Sequence, residues 1–94
     1  MRLDYGEIKE RLKRLRGWVL AEGKTERIEK TFEFKNFVEA VSFVNSIVPL
    51  AEEANHHPDI TINYRKVKLA LTTHSEGGIT EKDFDLAEKI ETIV

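Results

Sequence analysis

Between Asp59 and Thr73 apolar residues take alternate positions on either side of a short break: Ile60, Ile62 and Tyr64, then Val67, Leu69, Leu71 and Thr73. A period of two marks strands with one buried face, and two such runs separated only by Arg65–Lys66 predict an antiparallel hairpin. A hairpin with one apolar face is marginal in water by itself, so the rest of the chain must cover it.

The remaining segments supply that cover. Tyr5, Ile8, Leu12 and Leu15 recur at helical spacing between Asp4 and Arg16, with Asp4 and Glu7 as a capping box and Gly17 as a stop. Two strands follow, Trp18–Glu22 and Arg27–Phe34, around the turn-forming Gly23-Lys24-Thr25. In the second, Lys30 interrupts an apolar stripe of Ile28, Phe32 and Phe34. A long helix is expected from Asn36, its apolar residues running from Phe37 to Ala54 on one broad face. Pro49 should kink that helix by removing the bond to the Asn45 carbonyl, and Pro58 should end it. Thr80 starts a last helix whose buried stripe is Phe84, Ala87, Ile90 and Val94. The order α-β-β-α-β-β-α predicts an α+β, two-layer fold: a four-stranded antiparallel sheet with three helices on one face, in a single domain, 1–94.

Composition excludes several functions. A net charge of −2 argues against a protein that binds nucleic acid by neutralising phosphates. No apolar run approaches the roughly 20 residues of a membrane helix, and the first ten residues lack a signal peptide's apolar core, so the expected address is the cytoplasm. The chain has no cysteine, which removes disulfides, thiolate metal sites and cysteine nucleophiles.

All three histidines fall at places the hairpin brings together. His56 and His57 stand before Pro58 at the expected helix end, and His74 follows the last strand. The outer ends of an antiparallel hairpin are neighbours, so His74 is expected beside His57 and Asp59. Glu52 precedes His56 by four residues, which on a helix puts both side chains on one face and lets the carboxylate orient the imidazole. Taken singly, these residues have plain structural roles. A histidine near a helix C-terminus commonly caps it; Asp83, three residues after Thr80, closes a capping box; Trp18 and Tyr64 are core aromatics by default. Together, three imidazoles and a carboxylate at one hairpin mouth suit general acid and base work near neutral pH. A zinc or iron site is the competing chemistry. Adjacent histidines in an extended segment point to opposite faces, which makes them poor co-ligands, and no metal is expected.

The spacing E-x-x-x-H-H-P-x-I-x-I-x-Y-x-x-V-x-L-x-L-x-T-H-x-x-x-G-I-T-x-x-D, Glu52 through Asp83, resembles the signature of the pterin-4a-carbinolamine dehydratases. The resemblance extends upstream through Arg16-Gly17-Trp18 and Phe32–Phe37 and downstream to Glu91, essentially the whole chain. It implies the same order of four strands and three helices. It also implies a hydro-lyase that dehydrates 4a-hydroxytetrahydropterin to quinonoid dihydropterin, recycling the cofactor of aromatic amino-acid hydroxylases. The pterin is then the substrate, and no separate cofactor is implied.

Carried over by position, the resemblance makes His56, His57 and His74 the catalytic residues, with Glu52, Pro58, Thr73, Asp83 and Trp18 binding substrate or supporting them. Loss of water from C4a needs a proton on the leaving hydroxyl, and a base for the proton on N5. The expected division has His57 or His74 as the acid, with His56, oriented by Glu52, binding or shuttling the second proton and Asp83 holding the loop and helix start against the site. The resemblance further implies homodimers or homotetramers, which an open sheet edge favours. It also carries an alternative. Some members bind a homeodomain transcription factor, and degenerate relatives are assembly chaperones, so a non-catalytic binding or assembly role shares the fold.

Overall fold

The computed structural model describes residues 1–94. Three helices, α1 (Tyr5–Leu12), α2 (Phe37–Ala54) and α3 (Glu81–Glu91), cover one face of a sheet made of β1 (Val19–Ala21), β2 (Arg27–Glu33), β3 (Asp59–Asn63) and β4 (Lys66–Leu71). All pairings are antiparallel, in the order β1-β2-β4-β3. The α+β layout and the order α-β-β-α-β-β-α are those the sequence predicts.

The alternation in the strands explains why the helices occupy only one side. Ile28, Phe32, Val67, Leu69 and Leu71 are buried beneath the helices, against Ile8 of α1, Phe43 and Ile47 of α2, and Phe84 and Ile90 of α3. The intervening residues Glu29, Thr31, Lys66 and Lys68 form the other, polar face. Lys30 sits in the apolar row without an unpaired charge. Its ammonium bonds to Glu91 at 2.8 Å and to the Arg16 carbonyl at 3.0 Å, and lies over the Phe32 ring.

Helix starts follow the sequence closely. Asp4 and Glu7 close a capping box on α1, Asn36 caps α2, and Thr80 with Asp83 closes a second box on α3. Other boundaries differ from expectation. α1 ends at Leu12 rather than Arg16, and the chain turns through Gly17 at φ +85°. An alanine there would strain the backbone and drive its Cβ to 2.8 Å from the Lys30 stem. Gly17→Ala should therefore lower unfolding stability by about 1–2 kcal/mol, read from urea denaturation.

α2 continues through Pro49 as one element. It buries Ala40, Phe43, Ile47 and Ala51, whereas Phe37 and Val48, expected on the buried face, are half exposed. Pro58 does not end this helix. The helix stops at Ala54, because Asn55 adopts the left-handed conformation (φ 50°, ψ 44°) and turns its N–H back to Ala51 and Glu52. His56 N–H then also donates to the Ala51 carbonyl, at 3.1 Å. Asparagine tolerates this conformation, and the last carbonyls gain donors.

The hairpin turn is Tyr64–Arg65, not Arg65–Lys66, because Asn63 pairs with Lys66. Tyr64 takes φ +58° and is exposed, so it is a turn residue and not a core aromatic. Val94 likewise lies beyond the end of α3 and is exposed.

Candidate active site

Asn55 decides the geometry of the histidines. By turning the chain off the helix one residue before His56, it releases both histidines from the helical face that carries Glu52. The expected pairing of Glu52 with His56 is therefore not formed. Glu52 instead accepts from His57, with Nε2 to Oε2 at 2.7 Å, and both side chains are well exposed (69% and 57%). An exposed pair of this kind orients the ring but is screened by solvent.

His56 finds a different carboxylate. Its Nε2 lies 2.5 Å from Oδ1 of Asp83, which is completely buried, while His56 itself is 11% exposed. The other oxygen of Asp83 accepts from the Thr80 backbone N–H and from the Thr73 hydroxyl, each at 2.9 Å. Asp83 thus closes the capping box as the sequence predicts, and the same carboxylate reaches across to the imidazole. The sheet register explains the meeting. Pairing of Asp59 with Ala70, continued outward by extension, sets His56 across from Thr73, beside the start of α3.

His74 follows β4 on a turn of its own. β4 ends at Leu71, Thr73 forms an isolated bridge with Gly78, and His74 opens a short 3-10 turn (His74–Glu76). It is exposed and makes no side-chain hydrogen bond within the protein. Pro58, half-buried, leads from His57 into β3. Trp18 is buried in the core, edge-on to Phe32, and its indole N–H donates to Glu91 at 2.9 Å. Glu91 lies about two turns, or about 12 Å, beyond Asp83 on α3, so Trp18 is tied to the far end of that helix.

The arrangement therefore comprises one buried carboxylate–imidazole pair, one exposed pair beside it, and a third imidazole on the following turn. His56 Nδ1 has no partner in the protein, yet no buried polar side-chain atom is unsatisfied, so Nδ1 reaches solvent. An imidazole with one nitrogen held by a buried carboxylate and the other open can take or give a proton at the open atom. No group of three or more His, Asp or Glu side chains is arranged to hold a metal ion. No helix is long and apolar enough to cross a membrane.

Thr80 is the residue that sequence reasoning left out of the site. Its capping role was legible, but its hydroxyl also stands 2.8 Å from that of Thr73, a contact between residues of two different elements.

A family model described as pterin 4 alpha carbinolamine dehydratase matches residues 1–93. A protein of Sulfolobus acidocaldarius, provisionally named a pterin-4-alpha-carbinolamine dehydratase, is 54% identical over 93 residues, 99% of each chain. One of Trichormus variabilis, named in the same way, is 51% identical over 91 residues, 97% of this chain and 95% of that one. Among solved structures, a transcriptional coactivator/pterin dehydratase from Brucella melitensis superimposes with a TM-score of 0.92 at 38% identity, over 99% and 98% of the two chains. A pterin dehydratase-like RuBisCO assembly factor of the alpha-carboxysome shares the fold, with a TM-score of 0.68 at 22% identity over 82% and 88%.

Proposed function

The chain belongs to the pterin 4 alpha carbinolamine dehydratase family, and on that premise we propose that it is a hydro-lyase converting 4a-hydroxytetrahydropterin to quinonoid dihydropterin and water. The observation that supports this reading best is His56, fixed at Nε2 by a buried carboxylate and open at Nδ1. In the reaction the C4a–O bond breaks, a proton joins the departing hydroxyl, and N5 gives up its hydrogen as C4a=N5 forms. No electron leaves the pterin, so the histidines suffice and no further cofactor is required.

His56 takes the N5 proton at Nδ1. His57, oriented by Glu52, or His74 protonates the hydroxyl, and return of the proton from His56 to that imidazole through solvent restores both groups. Such acids and bases each contribute roughly 10²–10⁴-fold. The product feeds the reduction that restores tetrahydropterin for aromatic amino-acid hydroxylases.

The test follows decay of 4a-carbinolamine, generated by an unrelated phenylalanine hydroxylase, with and without the protein and with a chelator present. Wild type should accelerate decay, and His57→Ala should lose part of that acceleration. Decay at the spontaneous rate, from a protein shown by circular dichroism to be folded, would refute the reading.

Self-association into a homodimer or homotetramer belongs to the same proposal. Every residue of the edge strand β3 is exposed, Ile60 and Ile62 included, and Phe37, Val38 and Val48 leave an apolar stripe on α2. Sedimentation velocity reading a monomer at micromolar concentration would remove this part. The same stripe favours the second reading, a binding or assembly role without catalysis, which an inactive but folded protein would support.

A further inference from the structure

Three polar side chains around the start of α3 are at least nine-tenths buried: Thr73, Thr80 and Asp83. Their hydrogen-bond directions can be worked out, because each hydroxyl has one hydrogen. Thr73 gives its hydrogen to Asp83 Oδ2. The 2.8 Å contact between the two threonine hydroxyls must then be donated by Thr80. Thr80 Oγ1 in turn accepts from the Lys82 backbone N–H at 3.2 Å. The chain of donors runs one way: Lys82 N–H to Thr80, Thr80 to Thr73, Thr73 to Asp83. The Thr80 N–H converges on the same oxygen. Both of these bonds end on Oδ2; with Asp83 a carboxylate, Oδ1 takes a donor as well, and the group there is His56 Nε2.

We infer that Thr80 is a positioning residue: acting through Thr73 and Asp83, it fixes His56 as the Nε2–H tautomer and so makes Nδ1 the atom that exchanges protons with substrate. Helix capping alone does not require this. A cap needs the Thr80 oxygen and one oxygen of Asp83, and it is served equally well on the solvent side of a helix, as Asp4 and Glu7 show on α1. Burial of the box and the link to Thr73 give the carboxylate one orientation, with its second oxygen on the imidazole. The catalytic part of the inference rests on the dehydratase reading; the tautomer does not.

The first measurement is therefore independent of activity. Long-range ¹H–¹⁵N spectra of ¹⁵N-histidine protein observe the ring hydrogens directly. His56 is assigned by the signals lost in His56→Gln. With the ring neutral, wild type should carry its proton on Nε2. Asp83→Asn should move it to Nδ1, since the amide must keep its oxygen on Thr73 and Thr80 and turn its NH₂ toward His56. A proton on Nδ1 in wild type would overturn the inference.

The second measurement is kinetic. Thr80→Val keeps the shape and removes the hydroxyl; it should lower kcat roughly tenfold, the effect of one hydrogen bond, with KM unchanged, and Thr80→Ser should restore it. Equal kcat in all three proteins would show that Thr80 only caps the helix, and would overturn its positioning role. If Thr80→Val fails to fold, Thr73→Val breaks the same relay without touching the α3 cap: kcat lowered roughly tenfold would support the role, and unchanged kcat would overturn it. A wild type that holds the Nε2 proton yet dehydrates nothing would support the tautomer and overturn the dehydratase reading.

Discussion

Replacing His56 by alanine is expected to slow carbinolamine dehydration by about 10²–10⁴-fold while leaving the chain folded. The size of the loss follows from where the ring is held. Its Nε2 bond to a fully buried carboxylate fixes the imidazole plane, so Nδ1 meets each substrate in one orientation. His57 lacks this advantage, because its partner Glu52 is 69% exposed and free to move. His57→Ala should therefore cost less than His56→Ala. The fold should survive, since His56 lies between α2 and β3 and Asp83 keeps both donors on its other oxygen. Water entering the vacated space can satisfy Oδ1. Saturation kinetics with a melting curve on the same sample check this; a drop in kcat smaller than that of His57→Ala would displace His56 from the centre of the mechanism.

Asp83→Ala should act on stability as well, lowering it by about 3–5 kcal/mol. The substitution leaves the Thr80 N–H and the Thr73 hydroxyl without their acceptor in a buried site, at roughly 1–3 kcal/mol each, and removes half of the α3 capping box. For a domain near 100 residues each kcal/mol moves the melting temperature by about 4–8 °C, so a fall of about 12 °C or more is expected. The chain contains its own control. Asp4 occupies the N-cap of the other capping box, on α1, but is exposed, and Asp4→Ala should cost only about 1 kcal/mol. The difference between the two melting shifts isolates what burial adds to an otherwise similar motif. Equal shifts would mean that water already reaches Asp83.

Much of this architecture was legible because it is set by local patterns. The alternation from Ile60 to Leu71 specified the hairpin and its apolar face, and the capping residues Asp4, Asn36 and Thr80 marked three helix starts. The Glu52–Asp83 spacing singled out all three histidines and both acids, of which the fold joins His56 to Asp83 and His57 to Glu52. The pairing itself was misread. Helical spacing assigned Glu52 to His56, and Pro58 supplied a plausible later stop. A single left-handed residue, Asn55, rotated the following chain and exchanged the partners.

The hairpin turn shows the same limit. Placing it at Arg65–Lys66 or at Tyr64–Arg65 shifts the pairing by two residues, and a two-residue shift leaves every side chain on the same face. Alternation is blind to it. Only the full set of contacts around β4 selects the register that pairs Ile62 with Val67 and leaves Tyr64 in the turn.

Local patterns along the chain set the order of elements, the face each strand buries and which imidazoles and carboxylates stand near the hairpin, because these depend on periodicity and on interactions within one or two turns. Tertiary structure decided which carboxylate holds which imidazole, and that Thr73 and Thr80 stand behind it. Those choices depend on the sign of one backbone dihedral and on groups far apart in the chain meeting in a buried site, where each polar atom must find its partner.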